Sequence, residues 1–192
     1  QGEEALCIHN VATGRELKFP NIISPSKTKK RIVIVGAGPG GLESARIACE
    51  RGHEVVIFEA ASDPGGQVRL CAKSKRRKDM MGIIDWRMEQ CTKKNVNFKF
   101  NILAEKNEII DENPDTVIIA TGGIPNLNLF ETKKDLGNVF SSWDIISGDI
   151  KTSENILIYD EAGDHVAMQS AEVAIEQGSK VNFMTPDRLI SS

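Results

Sequence analysis

Four consecutive β-branched residues, Ile32-Val33-Ile34-Val35, run straight into Gly36-Ala37-Gly38-Pro39-Gly40-Gly41. A short apolar run bounded by glycine reads as a strand buried in a parallel sheet. Residues 42–51 then read as a helix, with Leu42, Ala45, Ile47 and Ala48 available to face that sheet. Gly52 punctuates the helix, and residues 55–58 form a second apolar strand that ends in Glu59. The whole is a βαβ unit of roughly 30 residues with Gly-x-Gly-x-x-Gly at its first turn.

Each residue type in that turn has a physical task. Gly36 allows the tight exit from the strand, Gly38 leaves room for a phosphate to approach the backbone, and Gly41 lets the helix pack close to the strand. The helix N-terminus offers unpaired N–H groups and partial positive charge to phosphates. Pro39 and Gly40 lie within the same turn. Glu59 stands about 20 residues on, where a carboxylate accepts hydrogen bonds from ribose hydroxyls. A carboxylate there repels a 2′-phosphate, so FAD, ADP or NAD is expected in preference to NADP. A glycine-rich turn without a ligand is the plain alternative; the strand before, the helix after and the acid at the right distance weigh against it.

A second motif follows Glu59. Ala60-Ala61-Ser62-Asp63-Pro64-Gly65-Gly66-Gln67-Val68 is turn chemistry, and its glycine pair lets backbone lie against a phosphate or a flat ring. A third is Asp115-Thr116-Val117-Ile118-Ile119-Ala120-Thr121-Gly122-Gly123, read as a buried strand that delivers small residues to the same crevice. Ligands of open parallel sheets sit outside the carboxyl ends of the strands. Ala60, Gly66, Gln67, Ala120, Thr121 and Gly122 therefore join Gly36, Gly38, Pro39, Gly40, Gly41 and Glu59 as candidate cofactor-binding residues. No catalytic acid, base or nucleophile stands out.

Between these motifs, residues 80–94 read as an amphipathic helix with Ile83, Ile84, Trp86, Met88 and Cys91 among its apolar positions. Trp86 is expected in a core or an interface rather than against a cofactor. Residues 96–100 read as a strand, and 105–113 as a short helix or turn. The basic run Lys73-Ser74-Lys75-Arg76-Arg77-Lys78 reads as a solvated loop or helix start, with a docking surface for an acidic protein as the alternative.

After a connection over 124–153, containing a short helix capped by Ser141, the pattern restarts. Residues 155–159 read as a strand, 165–177 as a helix, Gly178 as its stop and 181–184 as a strand: a second βαβ unit. It lacks the glycine fingerprint. Asp160, Glu161 and Asp164 put negative charge where phosphates would need to lie, so nucleotide binding by this unit is not expected. His165 reads as a surface or cap-region residue.

Net charge −3 argues against nucleic acid as the main partner. No apolar run approaches the ~18 residues of a membrane helix. The four cysteines are widely spaced and form no Cys-x-x-Cys, which suits packing thiols in a reducing, cytoplasmic setting. The chain opens on Gln1-Gly2 without Met or a signal-peptide pattern, and is expected to be a piece of a longer protein.

Together these features resemble the NADH:flavin oxidoreductase, 2,4-dienoyl-CoA reductase and trimethylamine dehydrogenase family. The stretches that carry the resemblance are Cys-Ile-His-Asn-Val-Ala-Thr-Gly-Arg-Glu (7–16), Val-Gly-Ala-Gly-Pro-Gly-Gly-Leu-Glu-Ser-Ala-Arg (35–46), Gly-Gly-Gln-Val (65–68), Ile-Ile-Ala-Thr-Gly-Gly (118–123) and Ala-Glu-x-Ala (171–174). The chain is most similar to the N-methylproline demethylase-like branch, through Ile83-Ile84-Asp85-Trp86-Arg87 and Ser142-Trp143-Asp144-Ile145. The resemblance implies an α/β Rossmann-like three-layer fold. Residues 1–30 would be a linker from a missing barrel and iron–sulfur domain, 31–153 an FAD- or ADP-binding domain, and 154–192 the start of a truncated NAD(P)-binding-like domain.

It also implies that Cys7 is one ligand of a 4Fe–4S cluster whose other ligands, like the FMN-bearing barrel, lie outside this chain. By itself the residue reads equally as a structural thiol. The implied function is electron transfer through flavin, to or from NAD(P)H or an electron-transfer protein, and the chain alone would not turn over substrate. The alternative is a non-catalytic ADP-holding module that docks an electron carrier. A plain NAD-dependent dehydrogenase is disfavoured by the Gly-Gly-Gln and Ala-Thr-Gly-Gly motifs.

Overall fold

The computed structural model describes residues 7, 9–127, 138–188 and 190. Part of the expected 124–153 connection, residues 128–137, lies outside the described residues. The chain divides into two compact units, one of residues 1–68 and 79–122, the other of residues 69–78 and 123–192.

The first unit is a four-stranded parallel sheet with helices. Its strands are β1 (Arg31–Val35), β2 (Glu54–Phe58), β3 (Asn97–Lys99) and β4 (Thr116–Ile119), in the order β3-β2-β1-β4. Helix α1 (Pro39–Glu50) connects β1 to β2, and α3 (Gly82–Lys93) packs beside α1. A short helix, α2 (Gln67–Cys71), and a single 3-10 turn (Lys78–Met81) precede α3; α4 (Lys106–Asp111) precedes β4.

Helix α1 forms where expected and starts three residues earlier, because Pro39 is preset for the first helical turn. It buries Gly41, Leu42, Ala45 and Ala48, the three-to-four-residue spacing of one face. Gly52, at φ +88°, ends it in the left-handed conformation: the Gly52 amide donates to the Cys49 carbonyl and the His53 amide to the Ala48 carbonyl. Leu42, Ala45, Ile32, Ile34, Val55 and Ile57 make one core with Ile83, Ile84 and Cys91 of α3. On the other face, Val33, Val56 and Phe58 pack under Ile102, Ala104 and Ile109. Truncating a fully buried residue such as Leu42 or Ile34 to Ala would cost about 2–5 kcal/mol.

One expectation for this unit is corrected. The strand ahead of Ala-Thr-Gly-Gly is not buried throughout: Val117 is 39% and Ile119 67% exposed. Among the described residues β4 pairs only with β1, and Ile102, Ala104 and Ile109 pack against Val33 of β1 and Val56 and Phe58 of β2. Trp86 does not enter the unit's core. It is 44% exposed, with the Arg46 and Arg87 guanidinium groups 5.4 and 5.8 Å from its ring. Arg87 takes the buried position instead. It donates from Nη1 to the Ile83 carbonyl at 3.0 Å and pairs with Glu43 at 3.0 Å, so its charge is compensated as burial requires.

The second unit holds α5 (Ser142–Ser147), β5 (Asn155–Tyr159), α6 (His165–Glu176) and β6 (Lys180–Met184). β5 and β6 pair in parallel, so this is a second βαβ unit. Ser141 caps α5 reciprocally with Asp144, as its hydroxyl accepts from the Asp144 amide. The basic run joins this unit through ion pairs to α6: Lys75 with Glu176 at 3.0 Å and Arg76 with Glu172 at 3.6 Å. Among the described residues, no helix is long and apolar enough to cross a membrane.

Candidate functional site

The β1–α1 turn is built by two close approaches. Gly36 sits at φ +103°, and a Cβ on it would lie 2.4 Å from the Ala120 carbonyl oxygen. A Cβ on Gly41 would lie 1.9 Å from the Gly36 carbonyl oxygen. Both glycines are thus demanded by the protein's own packing. Gly38 is different: its φ is −71°, and a Cβ there would meet nothing within 4 Å. Its missing side chain therefore leaves space above the N-terminus of α1. Gly38 is the N-cap of that helix, no side chain caps it, and the first turn carries no acid. This is the arrangement that receives an anion.

The other predicted residues gather around this space. The Gly65 amide donates to the Ala37 carbonyl at 2.9 Å, which ties the Asp-Pro-Gly-Gly turn to the fingerprint. A Cβ on Gly66 would approach the Gly38 Cα at 3.4 Å, and one on Gly122 would approach Gln67 Nε2 at 3.6 Å. The Ala120 amide donates to the Val35 carbonyl, setting Ala120 and Thr121 beside Gly36. Pro39 opens α1 and Gly40 follows it, exposed.

Glu59 lies one residue beyond β2. Its Oε2 accepts the Ala37 amide at 2.7 Å and its Oε1 accepts the Ala61 amide at 2.9 Å. The carboxylate is held by backbone on both oxygens. Each oxygen keeps a second lone pair for a ribose hydroxyl. Ala60 is exposed between Glu59 and Ala61. Sequence reading missed the role of Ala37, whose amide anchors Glu59; the x positions of the motif carry no side-chain signal for a backbone donor.

The cysteines separate by environment. Cys7 is exposed, and the backbone N–H groups of Asn10 and then His9 hold its thiol below the usual value. Cys91 is buried, and loss of hydration pushes its thiol up to about 12. Burial also raises Cys49. All four cysteines are free. Among the described residues, no three His, Cys, Asp or Glu side chains gather to hold a metal ion, so this chain's described part does not by itself build a cluster site.

Comparison with known proteins shows the family. Residues 4–178 match the pyridine nucleotide-disulphide oxidoreductase family. The chain is 57% identical over 188 residues to a probable N-methylproline demethylase of Rhizobium meliloti (strain 1021), covering 98% of this chain and 27% of that protein. It is 39% identical over 194 residues to the N,N-dimethylglycine/sarcosine dehydrogenase of Chromohalobacter salexigens, covering 97% and 28%. A structure of 2-naphthoyl-CoA reductase with 2-naphthoyl-CoA superposes with a TM-score of 0.84 at 33% identity, covering 97% of this chain and 28% of that one. The chain spans little more than a quarter of the length of these relatives. The match over most of the chain, with the Rossmann-like sheet and its glycine turn, identifies it as a member of the pyridine nucleotide-disulphide oxidoreductase family.

Proposed function

We propose that this chain is the nucleotide-holding part of a flavin-dependent oxidoreductase acting on small N-methylated amines or amino acids. The substrate class rests on the named activities of its relatives. The dinucleotide's pyrophosphate, or that of ADP, lies on the turn from Gly36 to Gly41, with Pro39 and Gly40 supplying the start of α1. The adenosine ribose lies on Glu59 beside Ala60. Gly66, Gln67, Ala120, Thr121 and Gly122 line the same crevice.

The observation that carries this is Gly38: a glycine without internal cause, at an uncapped helix N-terminus. When FAD is bound, its isoalloxazine supplies the redox chemistry. The chain's own residues bind the nucleotide, fix its direction and keep acids away from its phosphates. Cys7 supplies one thiolate to a 4Fe–4S cluster completed by residues that this chain does not contribute, and its lowered thiol favours that role. The FMN-bearing barrel of the same protein and an electron-transfer protein are its redox partners. The free cysteines suit a cytoplasmic setting.

The test is to heat-denature the purified chain and identify the released molecule by chromatography and absorbance. Released FAD is the expected result for an electron-transfer module, and released ADP for a module that holds a structural nucleotide. A chain that releases nothing and then binds neither added FAD nor added ADP overturns the assignment.

A further inference from the structure

The β5–α6 turn begins as the β1–α1 turn does. Val35 pairs with Phe58, and the next amide, Gly36 N–H, donates to the Phe58 carbonyl at 2.7 Å. Tyr159 pairs with Met184, and the next amide, Asp160 N–H, donates to the Met184 carbonyl at 2.8 Å. Asp160 therefore stands where Gly36 stands.

Beyond that shared bond the two turns diverge. Asp160 is only 3% exposed, so its carboxylate is folded into the turn. Oδ1 accepts the Gly163 amide at 3.0 Å. Oδ2 is buried without a hydrogen-bond partner among the described residues. Asp164 Oδ1 accepts the Val166 amide at 2.8 Å and caps α6. Two of the N–H groups that a phosphate would need are thus already bound to carboxylates. At α1 the N-cap is glycine and no side chain takes those donors.

We propose that the Asp160 side chain is an internal cap that closes the β5–α6 turn to nucleotide phosphates, making it the residue that bars NADH and NADPH from the second βαβ unit. It acts two ways: its Oδ1 consumes the Gly163 donor, and its unpartnered Oδ2 presents a buried acceptor to any arriving phosphate oxygen. Two acceptors facing each other without a proton repel, the more so away from water. Asp164 reinforces the exclusion by capping the helix. The inference concerns the second unit alone and stands whichever nucleotide the first unit holds.

The test monitors backbone amides of the full, 15N-labelled chain. ADP is added to saturation, then NADPH or, in a parallel sample, inorganic pyrophosphate, which needs only the turn. In the wild-type chain the Gly163 and Val166 amides should stay unmoved at millimolar concentrations of either anion. In Asp160→Gly the Gly163 amide should respond to pyrophosphate with affinity tightened roughly tenfold or more. Asp160→Asn keeps the shape of the turn and should show a smaller response, which serves if the glycine variant does not fold. Saturable shifts of Gly163 and Val166 in the wild-type chain would overturn the proposal, as would folded variants that respond no more than wild type. Failure of the Gly38 amide to respond to ADP would count against the first unit's assignment and not against this one.

Discussion

The units β1–α1–β2 and β5–α6–β6 share a plan: two parallel strands, a twelve-residue helix between them, and a hydrogen bond from the first turn residue to the neighbouring strand. They part at the turn. In the first, glycine follows the strand and glycine caps the helix; in the second, aspartate does both. The strand and helix patterns set the fold, while the turn decides whether the helix dipole and N–H groups face a ligand or a side chain. An exposed donor set with glycine as N-cap costs a few tenths of a kcal/mol of the helix stability that a capping side chain would supply. The first unit forgoes that cap and leaves its donors to a nucleotide.

The largest effect that would break this comparison is at Gly38. Gly38→Val should lower ADP or FAD affinity by roughly a hundredfold, about 2.7 kcal/mol, with an unchanged melting temperature, since a Cβ there meets no protein atom within 4 Å. Gly41→Ala should do the reverse of sparing the fold, costing about 1–3 kcal/mol of stability through its clash with the Gly36 carbonyl. Paired titration and thermal melts separate the two. A Gly38→Val chain that melts early would make Gly38 a packing glycine like its neighbours.

Next in size is Glu59→Ala, expected to weaken adenosine nucleotide binding roughly tenfold through loss of charge-assisted hydrogen bonds. Unchanged affinity removes Glu59 from the site. Because Glu59 also holds the Ala37 and Ala61 amides, one on each oxygen, Glu59→Gln sharpens the result by keeping the shape and one of the two acceptors.

The smallest effect concerns the frame rather than the turn. Hydrogen bonds from Lys99 and then Arg31 hold the Glu112 carboxyl below the usual carboxylate range. A depressed folded-state value stabilises the fold above the unfolded carboxyl value of about 4.3. That contribution is lost as pH falls through the lower folded-state value. Glu112→Gln should therefore flatten the acid limb of stability against pH. An identical acid limb in wild type and variant would show that the carboxyl is not thermodynamically linked to folding.

Much of the first unit was legible because its signals are local. Ile32 to Val35 state a strand, Pro39 states a helix start, and Gly52 states a stop. The site's composition was legible for the same reason, since glycines and Glu59 recur at fixed offsets from those elements. The illegible features depend on partners far along the chain. The exposure of Ile119 reflects β4 pairing on one side only, which no window around 119 reveals. Arg87 looks like a surface residue until Glu43 of α1 is placed beside it. The basic run at 73–78 is solvated as its composition states, and what no local window shows is its ion pairs to Glu172 and Glu176, which span about a hundred residues of sequence. The acids of 160–164 were read as charge near a turn; that Asp160 is folded inward, onto the Gly163 amide, needed coordinates.

The most direct measurement of the central claim is a calorimetric titration of the nucleotide-stripped chain with ADP, read for the number of sites. One site per wild-type chain, weakened roughly a hundredfold by Gly38→Val, is the expected result. Two sites, or one site that Gly38→Val leaves at full affinity, would contradict the assignment of the nucleotide to the first βαβ unit.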